Sequence, residues 1–254
     1  MHHPVVELIP LQTIPLVKEG DCIGTLICEA LAREGRGLRD GDVVAVASTI
    51  VSKAEGCYHD LSTLVPRNEA LAMADKTGKD PRLCELIIRY SRSIVRVGKG
   101  PIIAETPHGF ICASAGIDTS NVAGTSDIVC TLPEDPDASA RAIRDTLQEA
   151  HKATIGVLVT DTQGRPFRCG AIGVAIGLSG IDPFWYYKGE RDLYGYELHA
   201  SLISRADELA SAADLVMGQS DEGVPVVIIR NARYHPGESS AQSLNRVPAD
   251  DIFR

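Results

Sequence analysis

The run TDTQGRPFRCGAIGVAIGLSG, residues 160–180, constrains the fold more than any other part of the chain. It follows IGVLV, an aliphatic and β-branched segment short enough to be a buried strand, which predicts that Asp161 and Thr162 emerge where that strand ends. A carboxylate beside a hydroxyl suits a hard cation. Gly164, Arg165 and Arg168 follow as a turn whose guanidinium groups can grip phosphate or carboxylate oxygens through paired donors. Glycines at 170, 173, 177 and 180 then recur through an apolar run, a spacing that predicts backbone packed close to a neighbouring element or a ligand. The stretch reads either as a polyanion site or as a strand with a salt-bridged turn behind it.

With 254 residues the chain can bury most of its apolar surface, as one large domain or two small ones. Its formal charge of -9 argues against non-specific nucleic-acid binding, so a bound phosphate has to be held locally or through a metal. No apolar run reaches the length of a membrane span, and the amino terminus lacks the pattern of a signal peptide, which predicts a cytoplasmic protein. Seven cysteines without a CxxC pair speak against a disulfide framework or a cysteine zinc site, and each is expected to be a small core residue. Neither HExxH nor GxSxG occurs, which removes support for a zinc or serine hydrolase.

In chain order, a strand is expected over residues 5–11, then a loop, then a helix through CIGTLICEALARE capped by Asp21. VVAVAS, apolar throughout, predicts a central strand, and the following STIVSKAEG reads as a polar loop with Ser48, Thr49, Ser52 and Lys53. It lacks the GxxxxGKS spacing of a Walker A loop. Helices are predicted over residues 66–76 and 81–91, the second started by Asp80 and Pro81. SIVRV, PIIAE and GFICA then predict antiparallel, hairpin-linked strands, the last delivering GIDTSNV with Asp118 and Asn121. A helix over residues 138–153 leads back to the organising stretch, and IDPFWYYKGERDLYGYEL concentrates aromatic residues that suit ligand stacking, a subunit contact or core packing. A last helix through DELASAADLVMG ends in the loop GQSDEG before the strand VPVVIIRN, and the tail from residue 234 has no period.

Four segments, STIVSKAEG, GIDTSNV, TDTQGR and MGQSDEG, thus end predicted elements with small, polar or acidic residues. Brought to one edge of a scaffold, Asp118, Asp161, Thr162 and the Gln219 amide oxygen make an oxygen-only shell that fits magnesium or manganese better than zinc. Phosphoryl transfer is the favoured chemistry, with Lys53 stabilising charge on the transferred group. A metal-dependent nucleotide phosphohydrolase using the same acids, and a non-catalytic binding protein docking through the Trp185 cluster, are the alternatives.

Together with PLVKEGD, DLYGYEL and LVMGQSDEGVPVVIIRN, these motifs closely resemble the coenzyme F420-0 gamma-glutamyl ligase family, over nearly the whole chain. The resemblance implies an α+β fold of largely antiparallel sheets with flanking helices, specific to that family and built of two intertwined subdomains, with residues 1–254 as one unit. It implies a GTP-dependent enzyme that attaches L-glutamate to the deazaflavin coenzyme through an acyl phosphate. Asp118, Asp161, Thr162 and Gln219 would hold two divalent cations, Mg2+ or Mn2+, and a potassium ion is a further expectation. GTP would meet Gln12, Thr13, Ile14, Pro15, Ser48, Thr49, Lys53 and Asn121. The run Met217, Gly218, Gln219, Ser220, Asp221, Glu222, Gly223 and Val224 would complete that site. Lys53, Asp118 and Asp161 are the catalytic candidates, and a homodimer with no nucleic-acid or membrane partner is implied. Gln219 stands where some relatives carry Glu. The ending RVPADDIFR resembles the end of the ligase half of two-domain relatives, which implies a chain without their flavin-binding half.

Overall fold

A computed structural model describes residues 4–252 of the chain. In order it forms β1 (Glu7–Pro10), α1 (Ile23–Arg33), β2 (Val43–Ala47), α2 (Ser48–Ala54), β3 (Tyr58–Asp60), α3 (Asn68–Thr77) and α4 (Pro81–Arg89). Then come β4 (Ser93–Val97), β5 (Ile102–Glu105), β6 (Ile111–Ala113), β7 (Ile128–Cys130), α5 (Pro136–His151), β8 (Gly156–Arg165) and β9 (Arg168–Ser179). The last elements are β10 (Phe184–Tyr186), β11 (Leu202–Ser204), α6 (Arg205–Met217) and β12 (Val226–Arg230). This is an α+β fold in which, among the described residues, every strand pair is antiparallel except β2 with β8. Among those residues no helix is long and apolar enough to cross a membrane.

The main sheet has the order β1-β12-β2-β8-β9. β2 lies in its middle because Val43, Val44, Ala45 and Val46 have no polar side chain to offer solvent, and all four are fully buried. β8 and β9 form one long hairpin, so Asp161 and Thr162 lie within a strand and not at its end, paired with Val174 and Gly173. The ladder continues past them because β9 supplies partners on the same register. A bulge between Val159 and Thr160 shifts that register by one residue. Gly177 and Gly173, which even spacing would place on one face, therefore meet different helices. A Cβ on Gly173 would come within 2.7 Å of the Ala210 carbonyl in α6, and one on Gly177 would collide with Pro136 at the start of α5. The expectation of close backbone packing is met by helices at Gly173 and Gly177, whereas at Gly170 a Cβ would meet nothing within 4 Å.

Two further sequence expectations change. STIVSKAEG is helical from Ser48, because burying Ser48, Val51 and Ser52 beneath the end of β2 fixes a face with i, i+3 and i+4 spacing. Asp21 does not cap α1; its carboxylate accepts the Lys18 N–H at 2.8 Å, and the helix begins behind Cys22. Asp80 does cap α4, accepting from the Arg82 N–H at 2.8 Å. Cys84, Cys112 and Cys130 are buried as expected, whereas Cys22 and Cys169 are exposed. The unassigned tail is pinned by Asp137, which takes the Ser240 hydroxyl at 2.6 Å and the Ala241 N–H at 3.1 Å.

Buried apolar residues fall into two clusters, one around the main sheet with α1, α5 and α6, the other among α3, α4 and the β4-β5-β6 sheet. The second holds a fully buried carboxylate. Glu85 receives the Arg67 N–H at 3.0 Å, the Arg67 guanidinium at 2.9 Å and the Arg89 guanidinium at 2.8 Å. Those donors, led by the Arg67 backbone N–H, hold its carboxyl down at about 2, against an ordinary 4.5. Above about pH 4.5 Glu85 is ionised in both folded and unfolded chains and its stabilisation is complete. As pH falls from there towards 2, the unfolded chain takes up the proton first and that stabilisation is lost. Glu85→Gln is expected to lower stability by about 2 kcal/mol at pH 7, the loss of charge-assisted hydrogen bonds, with the gap from wild type closing as pH approaches 2 in urea titrations.

Candidate functional site

Sheet topology determines where the singled-out residues meet. β2 and β8 run parallel, β12 runs against β2, and β1 runs against β12. The C-terminal ends of β1, β2 and the parallel part of β8 therefore share one edge with the N-terminal end of β12. Ligand sites in open sheets form at such an edge, outside the carboxyl ends of parallel strands. Backbone bonds tie the edge together: Leu11 N–H donates to Val226 O at 3.0 Å and Ala47 N–H to Pro225 O at 2.9 Å.

Helix α2 carries the first group of side chains into this edge. Its Ser48 hydroxyl lies 3.5 Å from Asp161 Oδ1, and its Thr49 hydroxyl donates to Asp118 Oδ2 at 2.7 Å. Consecutive residues of one helix thus touch two carboxylates that lie far apart in sequence. Lys53, one turn beyond Thr49, faces Asp118 closely enough for its charge to favour the ionised carboxylate. Asp118 itself is set by a pair of backbone bonds with Cys130, at 2.8 and 2.9 Å. The turn before it holds Ser114 and Ala115 at φ of 53° and 55°. Left-handed backbone at two successive non-glycine residues is costly and persists only where surrounding packing enforces it.

Burial dominates the electrostatics. It pushes the Asp161 carboxyl up to about 6; the Gln163 amide, donating at 3.0 Å, opposes this and the neighbouring Asp118 charge adds to it. Asp118 is raised by burial too, with Thr49 and then Lys53 pulling the other way. Lys53 is lowered by burial, with the neighbouring Cys130 and the Asp118 carboxylate pulling the other way. Two carboxylates withdrawn from water beside each other favour a compensating cation. Among the described residues no three His, Cys, Asp or Glu side chains gather as a metal group, so a cation here would draw on these two acids, hydroxyl and amide oxygens, and its other ligands. A cavity of about 400 Å3, lined by His108, Phe110, Asp137 and Arg141, shares no residue with this cluster.

The loop after α6 closes the other side. Asn121 donates to Ser220 O at 3.1 Å, joining the segment after Asp118 to residues 217–224. Within that loop Glu222 accepts the Ser220 N–H at 2.8 Å, a bond that also lowers its carboxyl. Gln219 donates to the Thr162 hydroxyl at 2.9 Å and to Asp214 Oδ1 at 2.6 Å.

A family model described as F420-0:Gamma-glutamyl ligase matches residues 12–231. The chain belongs to that family. It is 54% identical over 98% of its length to the coenzyme F420:L-glutamate ligase of Methanothermobacter thermautotrophicus, covering 99% of that protein. The proteins of the same name from Methanocaldococcus jannaschii and Methanopyrus kandleri are 44% and 46% identical, covered over 97% and 98% of their lengths.

Within this family member the structure brings Ser48, Thr49, Lys53, Asp118, Asn121, Asp161, Thr162, Gln219 and Ser220 into one network. Gln12 and Thr13 leave β1 at the same edge, but their N–H groups are bound by Glu34 at 2.8 and 3.1 Å. Ile14 and Pro15 follow them, and Asp221, Gly223 and Val224 continue the loop towards β12. Arg165 and Arg168 pair across the tip of the β8-β9 hairpin, beyond Asp161. The aromatic stretch divides. Trp185 is buried, stacked on His235 at 4.3 Å with Arg205 and Arg233 over its ring, whereas Leu193 and Tyr194 are fully exposed.

Sequence reasoning missed Asp214 and Gln163. The sign for Asp214 was present: a carboxylate in the last turn of a helix opposes the helix dipole and needs another reason to be there. Met217 ends α6, and Gly218 then adopts φ 72°, ψ -174°, a conformation nearly closed to other residues; a Cβ there would also strike Glu222. Gly218→Ala is expected to cost about 1–3 kcal/mol of backbone strain. Urea unfolding of the variant, with its midpoint below that of wild type, checks this strain.

Proposed function

We propose that this protein is the GTP-dependent ligase that adds L-glutamate to coenzyme F420-0. The observation carrying this reading is the pairing of Asp118 and Asp161 through Ser48 and Thr49, with Lys53 alongside. That cluster occupies the sheet edge in a chain 54% identical to a protein named coenzyme F420:L-glutamate ligase.

The reaction joins a carboxylate to an amine, and water has to be kept from the activated acyl group. A carboxylate oxygen of the deazaflavin substrate attacks the γ-phosphorus of GTP. The bond to the β-phosphate oxygen breaks, GDP leaves, and an acyl phosphate remains. The unprotonated amino nitrogen of L-glutamate then attacks the acyl carbon, inorganic phosphate leaves with the C–O bond electrons, and one proton is released as the amide forms. The Lys53 ammonium, partly withdrawn from water, stabilises negative charge on the transferred group more strongly than a solvated lysine would. Ser48, Thr49, Asn121, residues 12–15 and residues 217–224 orient the nucleotide.

Asp118, Asp161, Thr162 and Gln219 would hold Mg2+ or Mn2+, two per subunit, which supplies neutralisation of phosphate charge. Their donor set fits: oxygen atoms only, two of them from carboxylates whose burial demands a counter-charge. Potassium is the monovalent ion we assign to the same reaction. The exposed Leu193, Tyr194 and Tyr196, between β10 and β11, support a homodimer formed through that segment.

Mass spectrometry of the product after incubation with coenzyme F420-0, L-glutamate, GTP and Mn2+ tests the reading directly. One or more glutamyl additions are expected, and Asp161→Asn should slow them by about a hundredfold or more while the protein stays folded. Omitting the deazaflavin should suppress phosphate release. Free GTP hydrolysis under those conditions would instead mark a phosphohydrolase.

A further inference from the structure

We propose that Asp214 is a positioning residue that turns the Gln219 carbonyl and the Thr162 hydroxyl oxygen into cation ligands, an inference that rests on the cation site proposed above. Asp214 lies in the last turn of α6, where its charge opposes the helix dipole. Its Oδ1 accepts from Gln219 Nε2 at 2.6 Å and faces the Thr162 hydroxyl at 3.4 Å, while Gln219 Nε2 also reaches Thr162 Oγ1 at 2.9 Å. The three groups close a triangle.

The chemistry of that triangle fixes the direction of each bond. An ionised carboxylate only accepts, so the NH2 end of Gln219 faces Asp214 and its carbonyl oxygen is turned to the other side. The Thr162 hydroxyl spends its one proton on Asp214, receives the amide N–H on one lone pair, and keeps the other available. A side-chain amide alone flips freely between its two orientations; beside Asp214 it does not. The carboxylate also returns, from the second layer of the site, a negative charge that Gln219 itself does not carry.

The backbone is arranged to permit this. Gly173 pairs with Thr162 across the β8-β9 ladder, and a Cβ there would come within 2.9 Å of Asp214 Cβ. Only because that position lacks a side chain does α6 come near enough for Asp214 to reach Thr162. The Ser211 hydroxyl, donating to Gly173 O at 2.7 Å, holds the helix at that distance.

The test is a double-mutant cycle on Asp214→Asn and Gln219→Glu, with Mn2+ alone as probe in calorimetry. Asp214→Asn, close to isosteric, should weaken Mn2+ binding about tenfold, the scale of losing an outer-layer partner. Gln219→Glu should also weaken binding despite adding a carboxylate, because Asp214 stands within hydrogen-bond distance. The double variant should recover to within about threefold of wild type, since an amide at position 214 donating to a carboxylate at position 219 restores the bond with its polarity reversed. Additive losses, or wild-type affinity in Asp214→Asn, overturn the proposal. Absence of Mn2+ binding by the wild type would sink the cation reading instead. In that case the Gln219 side-chain amide resonances, slow to exchange in the wild type and fast in Asp214→Asn, decide whether Asp214 positions it, and unchanged resonances overturn the claim.

Discussion

Two like charges held side by side, away from water, are the condition that the rest of this molecule serves. Asp118 and Asp161 are each raised by burial, and each is touched by a hydroxyl from the first turn of the same short helix. Nothing in the packing of either core requires such an arrangement. It costs stability until a counter-charge arrives, and Lys53 supplies only part of one.

The scaffold meets that cost with a rigid edge. The central strands of the main sheet bury their side chains completely, so their ends move little relative to one another. Each end then carries a different polar segment: α2 after β2, residues 217–224 before β12, and the Asp161–Thr162 pair beyond the bulge in the β8-β9 ladder. The bulge matters because it changes which face each later residue of the hairpin presents. Helices α5 and α6 can both approach β9 as a result, at glycines that leave them room.

Much of this was legible in the sequence where local chemistry and tertiary structure agree. The apolar VVAVA predicts a central strand and is one, and Asp80-Pro81 predicts a helix start and provides it. STIVSKAEG was not legible as a helix, because its hydroxyls and β-branched residues have no strong helical preference; burial against the sheet imposes that state. Asp161 was recognised by its neighbours but misplaced at a strand end, since nothing in GRPFRCGAIG announces that the ladder runs through it. Asp21 has the chemistry of a cap and spends it on the preceding loop instead. Asp214 escaped because its role exists only once α6 lies on Gly173, a contact between residues 41 positions apart.

The provenance of the two acids has a bearing on how the chain acquires its activity. Asp118 follows the strands of the smaller apolar cluster, whereas Asp161 belongs to the larger one. The bonds that unite them through α2 span 69 and 113 residues. Neither half of the polypeptide holds the proposed centre alone. Such a centre exists only when the two clusters are docked, and opening the seam between them would take it apart without melting either sheet.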